Sequence, residues 1–202
     1  MIRKYVKIIV CNQSRNFKEL NSLFLGFEVR AFVRDASKIP EHLRSKVETF
    51  VGDVTNSDRV SEAVKGTESV VVVLGTRSNL GPTTVMSDGT RNIIAAMKTH
   101  AVQVMSVCLS AFLFYKPNDV PAKYKDVTED HQRMFDAVKE SGLNWIAVLP
   151  PLITESPSTG YQIEHDKSPG RTISKYDLGT FLIDALQKPE HYQKVCDITS
   201  KQ

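Results

Sequence analysis

The chain has 202 residues, 41% of them hydrophobic and 24% charged, which predicts one globular domain over residues 1–202 with a single substantial core. The 26 basic and 23 acidic residues are scattered, without the basic run that follows a nucleic-acid backbone, so we expect no nucleic-acid partner. No segment reaches the roughly 18 apolar residues of a membrane span, and the first residues do not resemble a secretory signal, so we expect no membrane association and a cytoplasmic location.

Strand-like segments alternate with helical segments along the chain. The predicted strands are short and rich in apolar residues, as strands covered on both faces are: Lys4–Cys11, Phe27–Val33, Val47–Gly52, Ser69–Gly75, Val102–Ser110, Asn144–Pro150 and, last, Val195–Ile198. Helical patterns follow Asp58, start at Thr83 and at Val127, and cover Ile173–Gln187. This alternation with short connections predicts an α/β fold, a single doubly wound and mostly parallel sheet with helices on both faces.

The first strand runs into the segment CNQSRN, from Cys11 to Asn16, where a dinucleotide-binding fold usually has glycines. Those glycines permit a tight turn, close approach of the backbone to a pyrophosphate, and close packing of helix on strand. Side chains in their place are expected to push a diphosphate outward. Asn16 and Glu19 have capping-box spacing and Gly26 is placed to end the helix, so a strand and a shortened helix are predicted without the loop.

The residues that follow each strand are the site candidates, because ligands of a doubly wound sheet bind beyond the carboxyl ends of its strands. Arg34 follows the second strand, with Lys38 one turn further on. Paired cations at this position suit the 2′-phosphate of NADP. The alternative is that Arg34 and Asp35 form a solvated charge pair at the strand end.

The third and fourth strands end in shorter motifs, each a weak signal by itself. Asp53 offers a carboxylate to an adenine amino group and Val54 an apolar wall to its ring, although Asp53 or Ser57 is equally suited to cap a helix. In the motif LGTRSN, Gly75 lets backbone approach a ligand and Arg77 can reach an anion.

Aromatic residues follow the fifth strand. Ser110 ends that strand, and Phe112, Phe114 and Tyr115 come directly after it. These rings either pack as a lid or form a surface for a planar conjugated ligand. The Ser110 hydroxyl can hydrogen-bond an acceptor or a nicotinamide amide, or it can satisfy the backbone.

The kinds of chemistry open to the chain are limited. None of its six tyrosines precedes a lysine by four positions, so the Tyr-x-x-x-Lys pair of short-chain dehydrogenases is absent. Hydride transfer to a flavin or tetrapyrrole, which needs no strongly tuned proton donor, is therefore favoured. His131 lies on the apolar stripe of its helix, which predicts a core or positioning histidine rather than a catalyst.

The cysteines and histidines give no local signal for a metal. Cys11, Cys108 and Cys196 are far apart in the chain, which predicts reduced, buried thiols. None of the five histidines, taken with these cysteines, has metal-ligand spacing, so no metal is expected.

Seven motifs carry a resemblance to a known family: VRDASKIP, VGDV, LGTRSNLGPTTVMSDGTRNIIAAMK, SAFLFYKPNDVP, VTEDHQRM, ESGLNWIAVLPPLI and RTISKYDLG. Over most of residues 27–182 the chain is similar to the biliverdin-IXβ reductase/flavin reductase family, an atypical NADP-dependent branch of the short-chain dehydrogenases. The resemblance implies a Rossmann-like fold, a monomer, and NADPH-dependent reduction of planar substrates, namely flavins and non-α biliverdin isomers.

Carried over by position, the resemblance implies a cofactor-binding set and an acceptor-binding set. The cofactor set comprises Arg34, Lys38, Asp53, Val54, Leu74, Gly75, Arg77, Met86, Cys108, Pro151, Leu152 and Ile153. Ser110 is the implied catalytic residue beside the nicotinamide, and the acceptor is bordered by Phe112, Tyr115, Lys123 and Arg171.

The chain departs from the family at two places. It lacks the glycine-rich turn after the first strand, and it has Leu152 where the family carries a histidine near the nicotinamide. Two functions are therefore compatible with the sequence. One is an NADPH-dependent reductase of flavins or biliverdin-type tetrapyrroles, impaired by these changes. The other is a non-catalytic sensor that binds a dinucleotide or a tetrapyrrole without turning it over.

Overall fold

A sheet of eight strands forms the centre of the molecule, whose computed structural model describes residues 6–12, 27–76, 78–167 and 170–201. Its strands are β1 (Val6–Asn12), β2 (Phe27–Val33), β3 (Val47–Val51), β4 (Ser69–Val73), β5 (Val104–Cys108), β6 (Asn144–Leu149), β8 (Tyr161–His165) and β10 (Lys194–Ser200). A separate two-stranded sheet pairs β7 (Leu152–Thr154) with β9 (Thr172–Ser174). The helices are α1 (Glu41–Arg44), α2 (Ser57–Val64), α3 (Val85–Thr99), α4 (Lys125–Lys139) and α5 (Lys175–Asp184).

The strand order of the large sheet is β3-β2-β1-β4-β5-β6-β10-β8. Its direction of winding reverses between β1 and β4, as in a doubly wound sheet. Every pair of neighbours is parallel except β8 and β10, which are antiparallel. The carboxyl ends of β1 to β6 therefore share one edge of the sheet. The predicted fold class is confirmed.

Alternate residues of the strands pack into two apolar clusters, one on each face of the sheet. In β4, Val70 and Val72 join the cluster formed with α2, α3 and α4, whereas Val71 joins the cluster formed with α5. All three valines are completely buried. Strands that are apolar throughout thus hold helices on both faces, which is the basis on which they were predicted.

The predicted strands agree with the observed strands to within two residues at each end over the described part of the chain. The last helix, α5, starts at Lys175 because Ile173 and Ser174 belong to β9. No local sequence pattern predicted β7, β8, β9 or α1. The helix predicted from Asn16 to Gly26 lies outside the described residues. Among the helices described, none is long and apolar enough to cross a membrane.

A buried carboxylate on α4 caps the start of α3. Asp130 is completely buried, and its Oδ2 accepts a hydrogen bond from the backbone N–H of Met86 at 3.0 Å. Its Oδ1 accepts from the Ser87 hydroxyl at 2.6 Å and from Nε of Arg133 at 3.3 Å. A negative charge at a helix N-terminus is favourable because it opposes the positive end of the helix dipole. The contact fixes α3 and α4 relative to each other next to the carboxyl edge of the sheet.

Candidate functional site

A cleft of about 1080 Å³ opens beyond the carboxyl ends of β5 and β6. Seven of the predicted site residues line it: Ser110, Phe112, Tyr115, Pro151, Leu152, Ile153 and Arg171. Tyr124 and His131 also line it, although the sequence analysis assigned neither of them to the site. Lys123 is not among the lining residues, and its Nζ lies 4.7 Å from the centre of the Tyr124 ring. The fold therefore brings together the proposed acceptor residues with the exception of Lys123.

Ser110 lies where β5 ends and a short 3-10 turn, Ala111–Phe114, begins. Its Oγ accepts a hydrogen bond from the backbone N–H of Phe112 at 3.3 Å, so the side chain does satisfy the backbone. Among the residues that the structure describes, none accepts a hydrogen bond from the hydroxyl. Because a hydroxyl can donate and accept at once, the Ser110 proton is available to a ligand in the cleft.

Three rings form a surface in the cleft, which we name the aromatic shelf: Phe112, Tyr115 and Tyr124. Phe112 stacks on Tyr124 with ring centres 5.1 Å apart and an interplanar angle of 28°. Tyr115 meets Phe112 edge to face, at 5.4 Å and 83°. Tyr115 remains 50% exposed, so part of the shelf is open to a ligand. Stacked and edge-on rings of this kind present a rigid apolar face to a planar molecule.

The buried nitrogen of His131 has no partner. Nδ1 is out of contact with solvent and forms no hydrogen bond with any described residue. Burial lowers the pKa of His131 to about 4, and the charge of Asp130 offsets this only in part. The ring is therefore neutral near pH 7. A buried N–H without an acceptor is rarer in proteins than a buried lone pair without a donor, so we infer the tautomer with its proton on Nε2.

Arg34 is exposed directly after β2. Within the described residues its guanidinium has no hydrogen-bond or ion-pair partner. The carboxylate of Asp35 instead accepts from the backbone N–H of Ser37 at 2.9 Å and lies 3.8 Å from Nζ of Lys38. Arg34 and Asp35 therefore do not form the charge pair that was the alternative interpretation. Arg34 stands as a cation at the strand end where the sequence predicts a 2′-phosphate site, while Lys38 shares its charge with Asp35.

The carboxylate of Asp53 organises the turn after β3. Its Oδ1 accepts from the backbone N–H of Thr55 at 2.9 Å and from its hydroxyl at 2.8 Å. The cap of α2 is the side chain of Asn56, not Asp53 or Ser57. The Val54 side chain is completely buried against α3, where a Cβ on Gly89 would lie 2.6 Å from Cγ1 of Val54. The Val54 side chain thus belongs to the core, and only its backbone remains to border an adenine.

The other predicted cofactor residues differ in how accessible they are to a ligand. Leu74 is 6% exposed and Met86 is completely buried, so both side chains belong to the core. The Cys108 thiol is buried at the end of β5. A Cβ added to Gly75, at the end of β4 beside the reversal of strand order, would meet no described residue within 4 Å. Arg77 and the turn after β1, including Ser14 and Arg15, lie outside the described residues.

A mostly parallel sheet with this strand order is the fold of the NAD(P)-binding Rossmann proteins. A family model described as NAD(P)H-binding matches residues 18–189 of the chain. The chain therefore belongs to this NAD(P)H-binding family.

Solved structures with similar folds include a Rossmann-fold NAD(P)-binding family protein from Shigella flexneri, with 21% identity and a TM-score of 0.75 over 96% of this chain and 93% of that chain. A short-chain dehydrogenase/reductase from Veillonella parvula, solved in complex with NADP, has 14% identity and a TM-score of 0.77 over 97% and 95% of the two chains. The anaerobilin reductase ChuY from Escherichia coli also has 14% identity and a TM-score of 0.77, over 97% and 98%. At these identities the likeness shows the fold alone.

Proposed function

We propose that the protein is an NADPH-dependent reductase that passes a hydride to a planar conjugated acceptor, either a flavin or a biliverdin-type tetrapyrrole. The observation that carries this proposal is the cleft beyond β5 and β6, in which Ser110 and the aromatic shelf lie together. In this fold the dinucleotide binds at the same edge of the sheet. When bound, NADPH supplies the hydride.

The surroundings of the dinucleotide site support NADPH over NADH. The Arg34 guanidinium has no partner among the described residues, and it follows β2, the strand after which an NAD-specific protein of this fold carries an acidic residue for the ribose hydroxyl. A guanidinium binds a phosphate through two parallel hydrogen bonds. No described residue lies within 4 Å of a Cβ placed on Gly75, which is compatible with close approach of a dinucleotide to the end of β4. We assign Lys38, Asp53, Arg77, Cys108 and Pro151–Ile153 to the same site on the resemblance described above, with the buried side chains of Leu74 and Met86 supporting it from the core.

The lining of the cleft supports a planar, acidic acceptor. The aromatic shelf offers a flat apolar face, and the exposed Arg171 adds a cation to the same lining. Flavin nucleotides and biliverdins combine a flat conjugated system with phosphate or carboxylate groups, which match this pairing. An NADP complex and an anaerobilin reductase among the structural neighbours agree with this class of reaction.

Two side chains can assist the acceptor during reduction. Hydride addition places negative charge on the acceptor, and a hydrogen-bond donor at the site of that charge stabilises the transition state. Ser110 and His131 both line the cleft, and the Ser110 hydroxyl and the inferred Nε2–H of His131 are the candidate donors. With its pKa near 4, His131 is a poor source of a full proton, so its role is to hydrogen-bond the reduced acceptor while water supplies the proton.

A non-catalytic sensor of a dinucleotide or tetrapyrrole is the second candidate, and one observation favours it. Leu152 is 70% exposed in the cleft, at the position where the similar reductases carry a histidine. An exposed leucine offers binding surface but no hydrogen bond to the acceptor. Tight binding of a flavin or bilin with no oxidation of NADPH would identify the sensor.

The test of the reductase is coenzyme selectivity in Arg34→Ala. We expect NADPH to quench the fluorescence of Trp145 on β6, and to support flavin or biliverdin reduction, far better than NADH. Arg34→Ala should weaken NADPH binding by roughly tenfold or more and leave NADH unchanged, since only NADPH carries the 2′-phosphate. Lys46→Ala is the matched control, because Lys46 is an exposed cation at the amino end of β3, on the far edge of the sheet. Equal loss of both coenzymes in Arg34→Ala would overturn the assignment of the 2′-phosphate site.

We further propose that the protein works as a monomer in the cytosol. The family resemblance supports both points. Size-exclusion chromatography with light scattering, at micromolar protein with and without NADPH, tests the first. A mass of two chains would contradict it.

A further inference from the structure

Two histidines and a cysteine converge at the edge of the large sheet. His165 on β8 and Cys196 on β10 are directly opposite each other in the antiparallel pair, so their side chains point to the same face. His191 belongs to the short turn Pro189–His191, which leads into β10. One ligand atom from each of the three residues lies within 4.8 Å of the other two.

The donor set and its spacing suit a borderline or soft metal ion. Two imidazole nitrogens and a thiolate are ligands of Zn²⁺ and its neighbours in the first transition row, and hard ions such as Mg²⁺ prefer oxygen. Nε2 of His165 already lies 3.0 Å from Nδ1 of His191. Ligand atoms around a tetrahedral zinc are about 3.3–3.6 Å apart, given bond lengths of about 2.0–2.3 Å. A closure of little more than about 1 Å would therefore bring all three atoms to a common ion.

The surroundings combine a buried sulfur with access from solvent. Cys196 is completely buried and free, and within the described residues its thiol has no hydrogen-bond partner. The imidazole of His165 reaches solvent, so an ion can enter from that side. The charges near the cluster are mixed: Asp197 and Asp166 act on Cys196, whereas His165, Glu190 and Lys188 act on His191.

We propose that His165, His191 and Cys196 bind Zn²⁺ or a similar divalent transition metal, with three protein ligands and one position open to solvent. None of the three lines the cleft, so the site is separate from the proposed reductase chemistry. Its effect is structural, because β8 is an edge strand bonded only to β10. A metal ion would tie β8, β10 and the turn before β10 together. Three ligands that are 26 and 5 residues apart in the chain give no local spacing signal, which is why the sequence showed no metal site.

The competing explanation is a hydrogen-bonded histidine pair that closes the edge of the core. The two imidazoles lie edge to face, 5.2 Å between centres, and the Phe181 ring packs on His191 at the same distance. Such a pair would hold the turn against α5 without any ion. It predicts that metal ions leave the spectrum and the stability of the protein unchanged.

Cobalt titration of the chelator-treated full chain separates the two explanations. Co²⁺ at the proposed site should give a sulfur-to-cobalt charge-transfer band and the visible absorption of a tetrahedral ion, at one ion per chain, and Zn²⁺ should displace it. Cys196→Ser should abolish the charge-transfer band, whereas Cys108→Ser, at the other described buried cysteine, should retain it. His165→Gln should weaken binding at least tenfold, and His100→Gln, whose ring contacts Ser61 instead, should leave it unchanged.

Thermal unfolding provides a second measurement that does not depend on the spectrum. An ion that binds only the folded protein raises Tm as its concentration exceeds Kd. Zn²⁺ should raise Tm of the wild-type chain and of Cys108→Ser but not of Cys196→Ser. Absence of a cobalt band in the wild-type chain, or a band that survives Cys196→Ser, would overturn the proposal.

Discussion

At the scale of single residues, burial decides how two titratable side chains respond to pH. His131 is held in the folded protein with its pKa lowered to about 4 from 6.5, and Asp197 with its pKa raised to about 6 from 3.8. Burial is the larger cause in both cases. When the pKa of a group differs between the folded and unfolded states, the free energy of unfolding depends on pH. Each of these two residues therefore gives a separate prediction.

His131 should make the protein less stable as pH falls. Below pH 6.5 the unfolded chain takes up a proton at this histidine, and the folded protein does not until about pH 4, so the contribution present above pH 6.5 is lost through that window. Between pH 7 and pH 5 the free energy of unfolding should fall by about 2 kcal/mol through this group. The free energy of unfolding is measured with urea at pH 7 and at pH 5. Its decrease between the two pH values should be smaller in His131→Gln than in wild type by that amount. An identical pH dependence in the variant would contradict the buried, neutral histidine.

Asp197 should act in the opposite sense. Its Oδ2 accepts from the backbone N–H of Lys167 at 2.7 Å, which partly offsets the effect of burial, and its Oδ1 has no partner among the described residues. The folded protein holds the proton up to about pH 6, so ionisation of Asp197 costs stability as pH rises from about 4 to about 6. Asp197→Asn removes that cost.

The measurement that tests this prediction is the difference in free energy of unfolding between Asp197→Asn and wild type, followed as a function of pH. Replacing Oδ1 by an amide has a cost of its own, but that cost is the same at every pH. The stability of Asp197→Asn relative to wild type should therefore improve by about 2 kcal/mol between pH 4 and pH 7 in urea unfolding. A relative stability that is constant over this range would show that Asp197 ionises normally.

At the scale of elements, Asp130 is the contact that sets α3 on α4. Asp130→Ala leaves the Met86 N–H and the Ser87 hydroxyl without an acceptor and removes the charge opposite Arg133. Loss of a buried, charged hydrogen-bond partner of this kind costs about 3 kcal/mol. The matched control is Asp136→Ala on the same helix, whose exposed pair with Lys139 at 2.9 Å contributes less than about 1 kcal/mol. Equal losses in chemical denaturation would mean that the cap does not stabilise α3.

Which elements the sequence predicts depends on how they are buried. The central strands β4 and β6 are apolar along most of their length and were placed correctly, because both of their faces are covered. The edge strand β8 alternates half-buried and exposed residues, and β7 and β9 have three residues each, so none of them carries a pattern that stands out from a loop. These strands depend on tertiary pairing with β10 and with each other, which no local pattern encodes.

The sequence likewise predicted some residues of the candidate site and missed or misplaced others. The rule that ligands meet the carboxyl ends of parallel strands located Ser110, and the aromatic loop after it, in the cleft. His131 was interpreted as a core or positioning histidine because a helix position that faces a cleft and one that faces the core share the same apolar stripe. The Val54 side chain was assigned to an adenine pocket for the converse reason: a strand-end residue can turn inward, as Val54 does against Gly89.

At the scale of the whole molecule, the cleft is assembled from segments far apart in the chain: the end of β5, the middle of α4, and residues 150–153 and 170–171. A family model covers residues 18–189, so these segments belong to one NAD(P)H-binding unit. Whether that unit reduces its ligand or only binds it depends on what the cleft offers to the reduced acceptor. Leu152 is the position at which a substitution can change binding into reduction, because its apolar side chain is exposed in the cleft and offers no hydrogen bond to the acceptor.

Leu152→His should therefore increase reductase activity. A histidine at this exposed position would titrate near neutral pH and could donate a proton to the acceptor, and general acid catalysis of this kind contributes about 100-fold or more. We expect kcat for flavin or biliverdin reduction to rise at least tenfold, with the preference for NADPH over NADH unchanged, because Arg34 is untouched. Leu152→Asn is the control, because asparagine is polar and similar in size to leucine but has no titratable proton. If the two variants have the same kcat, the proton at position 152 is not limiting; if neither turns over while both bind the acceptor, the molecule is a sensor.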